Sequence, residues 1–227
     1  MSPATPDASR AWLVYACRTS FAAEVAEIVW RSGGSVALLV DNLPEPQPSP
    51  LGRVVAPAAL RDAEKRLPAV VPLTTPGHRY TAAEQARSVG IGSFPALVDP
   101  TAVVARTAAL DAGTIVNALA VIGANTSLGR HVHVNRSASV GHDVTVAAYA
   151  TLGPACALAA WVNVGTGAFV GAGAVLAPRV RIGDNAVVGA GAVVLKDVPA
   201  RAVVVGNPAV IIESGGAGYG GVLVPVA

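Results

Sequence analysis

The segment Asn135-Arg-Ser-Ala-Ser-Val-Gly-His-Asp143 ends in a histidine followed directly by an aspartate. A neutral imidazole can take a proton from an attacking amine or hydroxyl near pH 7, and a neighbouring carboxylate can fix its tautomer and stabilise the imidazolium that forms. His142 and Asp143 are therefore the candidate general base and its orienting partner. A second set of polar residues follows the predicted strands of the first hundred residues: Arg18, Thr19 and Ser20, then Asp41 with Asn42, then Gly77 with His78. An aspartate after a second strand can hydrogen-bond a ribose or a base, and can equally be a plain loop residue. Cys17 and Cys156 form neither a disulfide framework nor a zinc quartet, which points to a reducing, cytoplasmic setting. Cys156 falls among small inward residues and reads as core rather than nucleophile.

The element that must position His142 is a repeat. Every sixth residue from Val104 through Val116, Val140, Leu152 and Val170 to Val194 is aliphatic, and Gly123, Gly129, Gly141, Gly153 and Gly171 follow in phase. Two places before each aliphatic residue stands another small or β-branched one, such as Ala138, Val144, Ala150 and Cys156. A period of six fits neither a helix nor sustained strand alternation. It fits a short strand and a corner, stacked into a solenoid, with glycine expected to supply a backbone conformation barred to bulky residues.

Composition agrees. Of 227 residues, 52% are apolar but only 4% aromatic and 13% charged, and the net charge of +2 offers no basic stripe for nucleic acid. Val144 to Pro178, 35 residues without Asp, Glu, Lys or Arg, is long enough to span a membrane. Pro154, Asn163, Thr166 and recurrent glycines break it as a helix, so no membrane association is expected. Residues 1–10 lack the order of a signal peptide and read as a flexible N-terminus, and residues 213–227 as a loose glycine-rich tail.

Residues 11–99 alternate differently. A strand over 12–16, a helix from Ser20 as cap to Arg31, a strand over 36–40, a helix over 58–67, a strand over 70–73, a helix over 81–88 and a strand over 95–98 make a small Rossmann-like α/β unit. The first loop, Ala16-Cys-Arg-Thr-Ser20, lacks the glycine fingerprint of a dinucleotide site.

This order of a small α/β domain followed by hexads over 100–212 resembles the hexapeptide-repeat sugar acetyltransferases, the nucleotide-sugar N-acetyltransferases and sialic acid O-acetyltransferases of bacteria. The resemblance implies a left-handed parallel β-helix with three hexads per coil, a homotrimer, and transfer from acetyl-CoA to an amino group or hydroxyl of a sugar, nucleotide-linked and bound by the α/β domain. It implies His142 as base and Asp143 as its partner, with Arg18, Thr19, Ser20, Asp41, Asn42, Gly77 and Asn135 as substrate contacts. Thr151, Ala160, Ala172 and Ala190 become acetyl-CoA contacts, and Lys196 and Arg201 meet coenzyme phosphates. Thr151 stands where relatives often carry a second histidine, and His133, one coil earlier, would partly occupy that space. Ala160-Trp161 replaces the glycine and asparagine common in relatives. A γ-type carbonic anhydrase, another trimeric β-helix, is the metal alternative raised by His131, His133 and His142. Their spacing departs from that family's His-x4-His pair, and no metal is expected. A non-catalytic solenoid that binds a partner is the other alternative.

Overall fold

The protein is described by a computed structural model covering residues 11–226; residues 1–10 and Ala227 lie outside the described residues. From Leu97–Val98 to Val193–Val194, two-residue strands recur every six residues and stack in three sheets. Partners lie one coil apart: His133 pairs with Thr151, Ser139 with Ala157 and Thr145 with Asn163, all parallel. The resulting triangular solenoid fits a left-handed β-helix. The predicted inward series is buried from Val116 to Val194, with Val104 and Leu110 half-buried at the open end. Ala138, Val144, Ala150, Cys156 and Val162 fill the space between at 0% exposure. A narrow core of this kind takes aliphatics in layers and leaves no room for rings.

The in-phase glycines serve a purpose other than the one expected. Gly141 does not adopt the left-handed conformation; a Cβ there would lie 2.9 Å from the carbonyl carbon of Ala159 in the next coil. Glycine at this place lets backbones stack. The left-handed turn falls two residues later, and at the corner that carries His142 it is taken by Asn125, Asp143, Trp161 and Arg179, with φ of 58°, 56°, 60° and 68°.

The three faces of the prism have different fates. Outward residues on the first include His133 and Thr151, which the N-terminal unit covers, and Phe169, which Tyr219 of the C-terminal tail covers. On the second they are Val103, Val121, Ser139, Ala157, Val175 and Val193, of which Val103, Val121 and Val175 are 63%, 43% and 44% exposed. On the third they are Ala109, Ser127, Thr145, Asn163 and Arg181, a mostly polar surface.

The N-terminal unit comprises strand β1 (Ala11–Tyr15), helix α1 (Phe21–Arg31), strands β2 (Ser35–Val40) and β3 (Val54–Val55), a one-turn helix α2 (Asp62–Lys65), strand β4 (Ala69–Val70) and helix α3 (Pro76–Ser88). Its parallel sheet has the order β3-β2-β1-β4. The strands expected over 70–73 and 95–98 shorten to Ala69–Val70 and Leu97–Val98, and the two helices after α1 differ more. The helix expected over 58–67 is broken because Leu60 and Arg61 are extended, leaving a 3-10 turn and α2. Helix α3 begins at Pro76 rather than Thr81, since proline at a first helical turn lacks only an N–H that would have no intrahelical partner. At α1 it is the Thr19 hydroxyl, not Ser20, that accepts a bond from the Phe21 N–H.

Arg79 of α3 rivets this unit to the first face. Its guanidinium is fully buried and donates to the carbonyls of His131, Leu73, Thr74, Tyr149 and Ala150 and to Thr151 Oγ1. No carboxylate accompanies it in these bonds, and burial pulls its pKa down to about 9. The C-terminal tail is docked rather than loose: Val224 is buried, and its N–H and carbonyl pair with both amide atoms of Asn185.

Candidate active site

His142 stands on the corner between the second and third faces. Its Nδ1 lies 2.6 Å from Asp143 Oδ2, and Asp143 Oδ1 accepts a 3.1 Å bond from the Asn125 amide one coil below. These two bonds, from His142 first and Asn125 second, hold the Asp143 carboxyl below its usual range. An ionised Asp143 fixes the proton on Nδ1, which makes Nε2 the acceptor nitrogen. The imidazole side chain is 51% exposed, open to a substrate.

One coil above, the Trp161 ring stands edge-to-face with His142, centroids 4.8 Å apart, and the Arg179 guanidinium lies 4.3 Å from the Trp161 ring centre. Trp161 and Arg179 were not among the expected site residues. The 18-residue coil length was the signal that could have found them, since it stacks both above Asp143. Ala160 shares this corner one coil above His142, its backbone nitrogen 3.0 Å from where a Cβ at Gly141 would lie.

The second set of residues gathers around a cavity of about 530 Å³ beyond the carboxyl ends of β1 and β2. Arg18, Thr19, Asn42 and His78 line it, with Leu73 and Val222 among the apolar walls. Arg18 is fixed by Asp41, with Nε 2.8 Å from Oδ2, and by the carbonyls of Pro44 and Glu45. Asp41 is buried; burial opposes its ionisation, but the Gln47 and Leu43 N–H groups and Arg18 outweigh it and keep the carboxyl below its usual range. Its lone pairs therefore serve the loop and Arg18. Asn42 donates to Gln85 Oε1 at 2.8 Å, closing one side of the cavity. Ser20 is exposed and is not part of the cavity lining.

Several expected residues are placed elsewhere. Gly77 lies under the tail, where a Cβ would fall 2.2 Å from the Val222 carbonyl oxygen, and it is His78 that reaches the cavity. Thr151 is buried in the seam between the two units, where its hydroxyl accepts from Arg79 and donates to the Thr74 carbonyl. Both functions are spent within the chain, which removes Thr151 from the expected cofactor contacts. His133 is in register with it and also buried, packed on Phe21 at 4.7 Å, on the face opposite the His142 corner. It shares the face of Thr151, as expected, and is enclosed with it beneath the N-terminal unit. Asn135 is buried and caps its own turn by accepting from the Arg136 N–H. Arg201 donates to the carbonyls of Gly215 and Gly216, holding the tail. Ala172 and Ala190 are exposed and stacked one coil apart, on the corner between the first and second faces rather than on that of His142. His131, His133 and His142 do not converge, and no group of three or more His, Cys, Asp or Glu among the described residues is arranged to hold a metal.

The cavity and the base are thus on opposite sides of the prism within one chain. The N-terminal unit sits on the first face, and His142 occupies the corner facing away from it.

Residues 162–196 match the family pattern described as "Bacterial transferase hexapeptide (six repeats)". No curated protein matches the chain. Among solved structures, GDP-perosamine N-acetyltransferase from Caulobacter crescentus is 32% identical, with a TM-score of 0.81 over 93% of this chain and 100% of that one. It was crystallised with CoA and GDP-perosamine, in histidine-to-alanine and histidine-to-asparagine variants among others. The acetyltransferase domain of PglB from Neisseria gonorrhoeae, solved with acetyl coenzyme A, is 27% identical, with a TM-score of 0.80 over 89% of this chain and 99% of that one. WeeI from Acinetobacter baumannii, at 22% identity and a TM-score of 0.70 over 89% of this chain and 99% of that one, shares the fold.

Proposed function

The chain belongs to the hexapeptide-repeat sugar acetyltransferases, and from that premise we propose that it moves an acetyl group from acetyl-CoA to a nucleotide-linked amino sugar with His142 as general base. The observation that carries this is the His142–Asp143 pair, which commits Nδ1 to the carboxylate and leaves Nε2 as the proton acceptor on an exposed corner. In the step proposed, the substrate amine attacks the thioester carbonyl and its proton passes to Nε2; the C–N bond forms, the C–S bond breaks, and the leaving CoA sulfur takes that proton back from Nε2 to depart as the thiol. The Ala160 N–H is suited to bind the oxygen that becomes negative in between.

The nucleotide-linked reading rests on the cavity of the N-terminal unit, which we infer to be a reduced Rossmann-like domain. Apolar walls with Arg18 and His78 suit a base carrying phosphates. The cavity and the base lie on opposite sides of one chain, so the reading requires a cavity from a neighbouring copy to meet each His142. A homotrimer joined through the exposed valines of the second face supplies that arrangement and brings the Ala172 and Ala190 corner of one chain towards the His142 corner of the next. Both cysteines are buried free thiols, in keeping with a cytoplasmic reaction, and no helix among the described residues is long and apolar enough to cross a membrane.

The test is thiol release from acetyl-CoA with GDP-perosamine and other nucleotide-linked amino sugars as acceptors. Turnover with one of them, falling by about 10²–10⁴ in His142→Ala, is expected. Near-normal turnover in that variant would overturn the assignment of the base.

A further inference from the structure

The segment Glu213–Val226 runs from the end of the solenoid back to α3, and it is held at every stage. Arg201 donates to the carbonyls of Gly215 and Gly216. The Tyr219 ring stacks flat on Phe169, centroids 3.6 Å apart. Gly220 passes Thr75, whose Cγ2 would lie 2.8 Å from a Cβ at that position. The backbone of Val222 crosses the first turn of α3 so closely that residue 77 has no room for a side chain. Asn185 then clamps Val224 through both amide atoms. Val222, carried between these anchors, lines the cavity with Arg18, Thr19, Asn42 and His78.

We propose that this C-terminal strap is a specificity-determining wall: Val222 sets the space open to the nucleoside diphosphate of the substrate. The proposal rests on the reading that the cavity takes a nucleotide-linked sugar. Its physical basis is that a wall fixed at both ends cannot yield to a larger group. One anchor is the solenoid, at Asn185 and Phe169; the other is α3, itself bound to the solenoid by Arg79. Apolar surface from Val222, Leu43 and Leu73 offers contact to a ring, and Arg18 offers charge to phosphate. The remainder of the cavity comes from the first hundred residues, so its shape depends on a piece of chain more than a hundred residues away in sequence.

The experiment is calorimetric titration of the wild-type protein, Val222→Trp and Leu223→Ala with ADP, CDP, GDP and UDP, alongside KM for acetyl-CoA and a thermal midpoint for each. The wild type is expected to bind one of the four best. Val222→Trp, which fills the cavity, should weaken that affinity by about tenfold or more with KM for acetyl-CoA and the midpoint held. Leu223→Ala should bind like the wild type. Unchanged affinity in Val222→Trp, or an equal loss in Leu223→Ala, overturns the wall while leaving the reaction class intact. A wild type that binds none of the four removes the nucleotide-linked reading, and the proposal with it.

Discussion

Asp143 and His142 are consecutive residues, yet their side chains meet at 2.6 Å because Asp143 adopts a left-handed φ of 56°. In an extended strand, neighbouring side chains point to opposite faces. The corner turns the carboxylate back onto the ring, and Asn125 holds it there from the coil below. Replacing Asp143 with asparagine keeps the shape and removes the charge that stabilises the imidazolium. The expected result is a fall in kcat of at least about tenfold with little change in KM for acetyl-CoA, read from initial rates.

Trp161 keeps a bulky ring in the same strained turn, where it packs against the His142 ring. It acts as a positioning residue. Trp161→Ala is expected to lower kcat by about tenfold with KM for the sugar nearly constant, as for loss of an oriented base. Trp161→Phe should restore most of the rate, because an edge-to-face ring contact is still available. A change confined to KM would place Trp161 in binding instead.

His131 and His133 are buried in the seam. Burial first, then the charges of Arg87, Arg79 and Arg130, push the His131 pKa down to about 3; burial and Arg79 push His133 well below its usual value. The unfolded chain binds protons on both below about pH 6.5 while the fold does not, so stability is complete above that pH and declines as pH falls towards 3. Neither nitrogen of His133 has a hydrogen-bond partner among the described residues. His133→Phe should therefore stabilise the fold by about 1 kcal/mol at pH 7 and flatten the loss between pH 7 and pH 5, measured by thermal melts at both.

Arg79→Met leaves the carbonyls of His131 and Tyr149 buried without this donor, while that of Ala150 keeps the His133 N–H. A cost of about 3 kcal/mol or more is expected in denaturant unfolding. The loss should appear as earlier release of the N-terminal unit, seen in amide exchange of α1 and α3 before the solenoid.

Val121→Arg combined with Val175→Arg places two charges on the second face. Light scattering should shift from a trimer to a monomer, and turnover should be lost while the circular dichroism of the solenoid is retained. A fully active monomer would show that one chain brings cavity and base together unaided.

The solenoid was legible in the sequence because each inward position sees the same narrow core, so Val116, Val140 and Val170 repeat one physical demand. The contact between His142 and Asp143 was legible because the two residues are adjacent in the chain. Trp161 and Arg179 escaped because their relation to His142 is vertical, one or two coils away, and is seen only when residues are compared at the coil length. Thr151 and His133 were misassigned for a related reason. Their register was right, but the first face is covered by residues distant in sequence, Arg79 of α3 on Thr151 and Phe21 of α1 on His133, which no local pattern announces. The docking of the tail had no local signal; glycines at 215, 216 and 218 look the same whether a chain is free or threading past a helix.

The double attachment of α3 also gauges length. Through Arg79 the helix grips the coils at His131 and at Tyr149 to Thr151, and through the strap it is tied to the coil of Asn185. Solenoids commonly gain or lose whole repeats without harm to their stacking. Here an extra coil between Thr151 and Asn185 would add one rung, about 4.8 Å, to the rod but nothing to the helix. The strap would then be drawn off Gly77, so the helix acts as a measuring stick that admits one number of coils.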